Sequence, residues 1–208
     1  MSTTNALSNS FLRLGFVALA AFLASCEGDG AAAPAVRYFT AAGNGGKDFE
    51  LRKTDRTEAG TVVEEINPGA GGSRPLGFAV FNNVVYFSAF DGTSGFELWK
   101  SDGTEAGTVR VKDINPGANG SIPGGFTVFN NTLYFSAFDG TSGFELWRSD
   151  GTEAGTVRVK DINPGAGGSS PFGFTVLNNA LYFSADDGTN GFELWKSDGT
   201  EAGTVRVR

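Results

Sequence analysis

The chain has 208 residues, 31 of them Gly, with 12% aromatic side chains; that combination suits many short strands joined by tight turns, because disordered chains are poor in aromatics. Lys and Arg number 16 against 23 Asp and Glu, a formal net charge of −7, which argues against nucleic acid as a partner, since that needs clustered positive charge. The absence of His removes the commonest general base, the usual imidazole metal ligand and any Ser-His or Cys-His nucleophile pair.

The first element in chain order is an apolar run of eleven residues, Leu14 to Ala24, behind a segment with one basic residue, Arg13. It is too short to span a bilayer as a helix, which takes about 20 residues, and it has the length of a signal-peptide core. The run ends in Leu23-Ala24-Ser25-Cys26, which resembles the lipobox of bacterial lipoproteins. The resemblance implies a signal peptide over 1–25, lipid attachment at Cys26 and contact with a membrane through that lipid. An ordinary secretory signal that happens to contain a cysteine is the alternative. Glu27, in place of Asp, implies outer-membrane sorting by resemblance to Gram-negative lipoproteins, so the expected location is the cell envelope. Residues 26–35, rich in small residues, read as a flexible tether.

From Val36 onward the chain repeats itself. Trp99, Trp147 and Trp195 are 48 residues apart, and Phe78 to Gly117 differs from Phe126 to Gly165 at four of 40 positions. Each period divides into four strand-like segments. In the third unit these are Phe126–Phe129, Thr132–Phe138, Phe144–Arg148 and Thr156–Ile162, separated by Asn, Asp and Gly positions that tolerate the positive φ of hairpin turns. In Thr132–Phe138 both faces are apolar, as in a strand sandwiched between neighbouring sheets. In the last segment Val157 and Val159 alternate with Arg158 and Lys160, and charge on an outermost strand discourages edge-to-edge pairing. The pattern predicts an all-β fold of tandem four-stranded antiparallel meanders arranged as blades of a β-propeller-like domain over 36–208. The units fall at about 36–76, 77–124, 125–172 and 173–208. The first is incomplete: it lacks an innermost strand, and Arg52 and Arg56 stand where the other units have Trp and Gly, as expected of a divergent terminal repeat.

The motif Glu97-Leu98-Trp99-Lys100-Ser101-Asp102-Gly103-Thr104 recurs at 145–152 and 193–200. It resembles the ELWxxDGT repeat family of bacterial exported proteins over about Phe49 to Arg208. The resemblance implies a secreted or surface-associated repeat protein without established chemistry.

The acidic turns gather Asp102/Glu105, Asp150/Glu153 and Asp198/Glu201 at one end of the blades, where oxygen-rich loops could hold structural Ca²⁺. Asp-Gly-Thr is equally a plain turn, its carboxylate accepting backbone N–H groups two residues on. Trp99, Trp147 and Trp195 read as packing between blades more than as sugar platforms. Glu97, Glu145 and Glu193 are expected to pair with Arg or Lys on the adjacent fourth strand. Asp186, in place of Phe90 and Phe138, and Arg74, in place of Ile122 and Ser170, break the repeat. These residues name no catalytic, metal or binding site. The expected function is a non-enzymatic, lipid-anchored interaction module for an unidentified protein or glycan, without a resident cofactor and with self-association as a route to a larger ring. The alternatives are an extracellular polysaccharide hydrolase or lyase using paired carboxylates and a truncated relative of a larger propeller.

Overall fold

A computed structural model describes residues 37–42, 49–54, 62–68 and 71–207. The expected signal peptide over 1–25, the expected lipid-attachment residue Cys26 and the expected tether over 26–35 lie outside these residues. No helix among the described residues is long and apolar enough to cross a membrane.

Among the described residues fifteen strands build four antiparallel sheets of a β-propeller-like fold. Blade 1 has three strands, β1 (Arg37–Ala42), β2 (Phe49–Thr54) and β3 (Val62–Glu64). Blade 2 has β4 (Leu76–Phe81), β5 (Val84–Phe90), β6 (Phe96–Ser101) and β7 (Val109–Lys112). Blade 3 has β8 (Gly124–Phe129), β9 (Thr132–Phe138), β10 (Phe144–Ser149) and β11 (Val157–Lys160). Blade 4 has β12 (Phe172–Leu177), β13 (Ala180–Asp186), β14 (Phe192–Ser197) and β15 (Val205–Arg206). Each is a meander in sequence order. By register, β1 and β2 pair as β5 and β6 do, so the three described strands of blade 1 match the second, third and fourth strands of a full blade.

Local chemistry sets these elements. The first hairpin of each full blade turns on Asn82-Asn83, Asn130-Asn131 or Asn178-Asn179, all with φ between 46° and 59°, the left-handed pair that a two-residue turn between twisted strands requires and that Asn tolerates. The inner strand of blade 3 begins two residues earlier than its apolar pattern predicts, because Gly124 pairs with Ser136 across a register shift. The outer strand is shorter than predicted, Val157–Lys160, because the Ile162 amide leaves the ladder to bond a carboxylate.

The core lies between blades. Leu98 and Tyr86 of blade 2 pack on Leu133, Phe135, Ala137 and Trp147 of blade 3. Tyr134 and Leu146 of blade 3 meet Leu181, Phe183, Ala185 and Trp195 of blade 4 in the same way. Each full blade therefore presents two apolar faces, a backward face to its predecessor and a forward face suited to a successor, which is why the middle strands are apolar on both sides.

Candidate functional site

The carboxylates divide by what holds them. Glu97 and Glu145 are fully buried at the start of β6 and β10. Glu97 accepts the Ile114 amide at 2.9 Å, the Asn115 amide at 3.2 Å and the Ser121 hydroxyl at 2.5 Å. Glu145 accepts the amides of Ile162, Asn163 and Ser169 at 3.0, 3.2 and 2.9 Å and the Ser169 hydroxyl at 2.6 Å. In blade 1, Glu50 receives the Ser73 amide at 2.8 Å and the Ser73 hydroxyl. These glutamates clasp the connector that leads to the next blade. The expected pairing with Arg or Lys of the fourth strand is therefore corrected: the residue sits at the strand end that the connector crosses, and donors on the connector take both its oxygens. Burial pushes the Glu97 and Glu145 carboxyls above the ordinary value, although the bonds from serine and the backbone amides act against it.

The Asp-Gly-Thr segments are turns. Asp102 Oδ1 accepts the Thr104 amide at 2.9 Å and its hydroxyl at 2.7 Å; Asp150 and Asp198 repeat this with Thr152 and Thr200. Bonds to the Thr104 hydroxyl and amide hold the Asp102 carboxyl below its usual range. Across the blade interface Lys53, Lys100 and Arg148 donate to the carbonyls of Gly103, Gly151 and Gly199 at 2.8, 2.9 and 3.1 Å, so this end serves blade-to-blade fastening. Among the described residues no group of three His, Cys, Asp or Glu is placed to hold a metal ion. Trp147 and Trp195 are 7% exposed within the interblade clusters, and Trp99 packs in the cluster between blades 1 and 2.

At the opposite end Asp91, Asp139 and Asp187 cap their turns. Asp139 Oδ1 accepts the Thr141 and Ser142 amides at 2.9 and 2.7 Å while Oδ2 meets Arg158 at 3.1 Å. Burial opposes the Asp139 charge, yet the amides of Ser142 and Thr141, the Thr141 hydroxyl and Arg158 together lower its pKa.

Where the inner strands converge, Gly77, Phe78, Gly125, Phe126, Thr127, Gly173 and Phe174 line a cavity of about 370 Å³. The glycine of one blade makes room for the phenylalanine of the next: a Cβ on Gly125 would meet the Phe174 ring at 2.8 Å. Its sequence signal is the Gly-Phe pair repeated at 77, 125 and 173, which periodicity alone assigns to an ordinary strand.

Both departures from the repeat fall at the connector end of the blades, where the inner strands begin. Arg74 is exposed with φ 46° and donates its amide to the Phe49 carbonyl at 2.8 Å, three residues before Gly77. Asp186 lies two residues beyond Ser184, the partner of Phe172 at the start of β12. Its Oδ1 accepts the Gly188 amide at 2.8 Å. Where Phe90 and Phe138 each stack on a cross-strand Phe, Asp186 cannot, and Phe192 packs edge-on against Phe172 at 5.5 Å instead. Glu193, across the ladder from Ala185, is exposed, unlike its buried counterparts.

No family model and no curated protein matches the chain. Among solved structures it is similar to a puromycin hydrolase mutant complexed with PGG, at TM-score 0.54 and 14% identity, covering 83% of this chain and 27% of that one. It is also similar to the Bacteroides ovatus Xyloglucan PUL GH43B, at TM-score 0.40 and 16% identity, covering 83% and 38%. A Clostridium thermocellum α-L-arabinofuranosidase matches at TM-score 0.38 and 17% identity, covering 83% and 67%. The chain thus spans about a quarter to two fifths of the length of the first two. The likeness at 0.54 shows the fold. It also corrects the expectation of a non-enzymatic module, because the structure that shares the fold is a hydrolase. The physical reason is that the lack of His weighs against imidazole chemistry alone, whereas hydrolysis by paired carboxylates needs neither His nor thiol.

Proposed function

We propose that this chain belongs to an exported hydrolase of extracellular polysaccharide, anchored through a lipid on Cys26, with the axial cavity as a sugar-binding site. The observation that carries the reading is Asp186, a carboxylate at the cavity end of blade 4 where the repeat otherwise places Phe. Glycoside hydrolysis uses two carboxyl groups roughly 5 to 10 Å apart, one protonating the leaving oxygen and the other acting as nucleophile or base. Asp186 and Glu193 lie one step apart across the β13–β14 ladder, which puts two carboxylates at the same end of blade 4. Phe78, Phe126 and Phe174 supply the aromatic surface, and Arg74 a cation at the same end. A likeness in fold to a hydrolase supports the class of activity.

Reducing ends released from a panel of extracellular polysaccharides by the full chain test the proposal. Release that Asp186→Asn reduces at least a hundredfold supports it; no release from any glycan, or unchanged release by the variant, overturns it.

A further inference from the structure

The three full blades are near copies, yet three of their positions carry a different residue in every copy: 74/122/170, 76/124/172 and 84/132/180. The first two of these flank a constant proline, Pro75, Pro123 or Pro171, in the run that enters the inner strand. They stand three residues and one residue before Gly77, Gly125 and Gly173, which line the axial cavity. Burial follows the same division. In blade 2, Ser73 and Pro75 are buried while Arg74 and Leu76 are exposed; in blade 3, Ser121 and Pro123 are buried while Ile122 is exposed. Constant residues thus carry the run, and the varied ones face solvent, as where a rigid scaffold presents residues for binding.

The backbone beneath the varied side chains is the same in all three blades. The amides of Arg74, Ile122 and Ser170 donate to the carbonyls of Phe49, Phe96 and Phe144 at 2.8, 2.9 and 2.9 Å, with φ of 46°, 47° and 47°. A left-handed φ is unfavourable for any side chain and most for β-branched Ile122, and strain of this kind gathers at sites that contact ligands. Leu76 and Ile122 are 57% and 53% exposed. Among the described residues no side chain pairs with the Arg74 guanidinium. Blades 2 and 3 each pack against a neighbour on both sides, so the exposure of Arg74, Leu76 and Ile122 does not come from an uncovered end of the array.

We infer that positions 74, 76 and 122 form the specificity rim of the axial cavity and that Arg74 selects a glycan bearing carboxylate groups, an acidic polysaccharide; that the occupant is a glycan rests on the hydrolase reading proposed above. A guanidinium matches a carboxylate with two parallel N–H donors, while Leu76 and Ile122 offer aliphatic surface to the C–H faces of adjoining sugar rings. Blade 3 stands between Arg74 of blade 2 and Asp186 of blade 4, so the bound carboxylate is kept apart from the reacting one.

The test titrates the full chain calorimetrically in about 0.05 M NaCl, where screening is weak, with oligogalacturonate, its methyl ester and a sulfated galacto-oligosaccharide. The acid is expected to bind about fivefold more tightly than the ester, a factor within reach of a partly exposed ion pair, and more tightly than the sulfated probe. Arg74→Ser should erase the preference for the acid over the ester, and Arg74→Lys should keep part of it. Leu76→Gly should weaken the acid and the ester by the same factor. Ser and Gly already stand at the equivalent places in blades 4 and 3, so these variants keep the fold. Equal affinity for acid and ester, a preference that survives Arg74→Ser, tighter binding of the sulfated probe, or no binding of the acid overturns the inference. Release of reducing ends from a neutral glycan without any charge preference keeps the hydrolase and overturns the rim; a charge preference with no release from any glycan does the reverse.

Discussion

Blades 3 and 4 are nearly the same sequence in two different states. Phe-Glu-Leu-Trp occurs in both, yet Glu145 and Leu146 are sealed while Glu193 and Leu194 face solvent. The strands, turns and registers are alike, so local sequence fixes the blade and the next blade with its connector fixes the burial. Stability in such an array is a sum of unit and interface contributions, and identical substitutions in the two blades separate the two.

The largest contrast is expected at the leucines. Leu146→Ala removes a fully buried side chain and should cost about 3 kcal/mol, the usual range for a cavity left in a core. Leu194→Ala should change stability by less than about 0.5 kcal/mol, as at ordinary surface sites. Urea denaturation of both variants measures the difference; equal losses would mean that blade 4 is already covered in solution.

Next come the glycines of the second turn. Gly143 has φ 71° and a Cβ there would run into the Gly168 backbone, whereas Gly191 has φ 73° with nothing within 4 Å. Alanine at 191 meets backbone strain alone, about 1 kcal/mol. At 143 the connector must also move, which adds about 1 to 2 kcal/mol of overpacking. Thermal unfolding should therefore order the proteins as unmodified, Gly191→Ala, Gly143→Ala.

Much of this architecture is legible in the sequence because the signals are local. Asn-Asn pairs, Asp-Gly-Thr turns and alternating apolar residues each act within a few positions, and the 48-residue period repeats them. Glu145 was not legible in the same way. Its partners Ile162 and Ser169 are 17 and 24 residues distant, on a connector whose Pro and Gly content shows only that it is not a helix. The axial cavity escapes for a related reason, since Gly125 and Phe174 meet only once two blades converge. Asp186 and Arg74 could be flagged as breaks in the repeat, but their shared end of the blades follows from register.

A smaller effect should appear in the pH dependence of stability, where blade 3 holds two opposed groups. The Glu145 carboxyl is raised above its ordinary value of 4.5, so the native state holds its proton more tightly. Its contribution is full below pH 4.5 and is lost as pH climbs through the raised native value. Asp139 is lowered from 3.8, so its contribution is present above 3.8 and is lost as pH falls through the lowered value. Glu145→Gln places an amide against donors and should cost about 1 kcal/mol. It should also abolish the decline on the alkaline side of 4.5, so that its deficit narrows toward neutrality. Denaturation midpoints measured from pH 4 to pH 7 check the sign, and a deficit that widens with pH would contradict it.

The smallest contrast concerns the outer strands. In blade 3, Arg158 bridges Asp139 at 3.1 Å and Asp161 at 3.4 Å, whereas in blade 4 Arg206 meets Asp187 at 3.8 Å. The second carboxylate comes from the connector, the same element that seals Glu145, so the looser contact in blade 4 has the same origin as its exposed glutamate. These arginines remain about one third exposed, and such pairs contribute only a few tenths of a kcal/mol up to about 1. Arg158→Ala should therefore cost about 0.5 kcal/mol and Arg206→Ala about 0.2 kcal/mol, and the difference should fade between 0.05 and 1 M NaCl as screening shortens the reach of the charges. A difference that persisted at high salt would instead assign the loss to packing of the arginine stem along the outer strand.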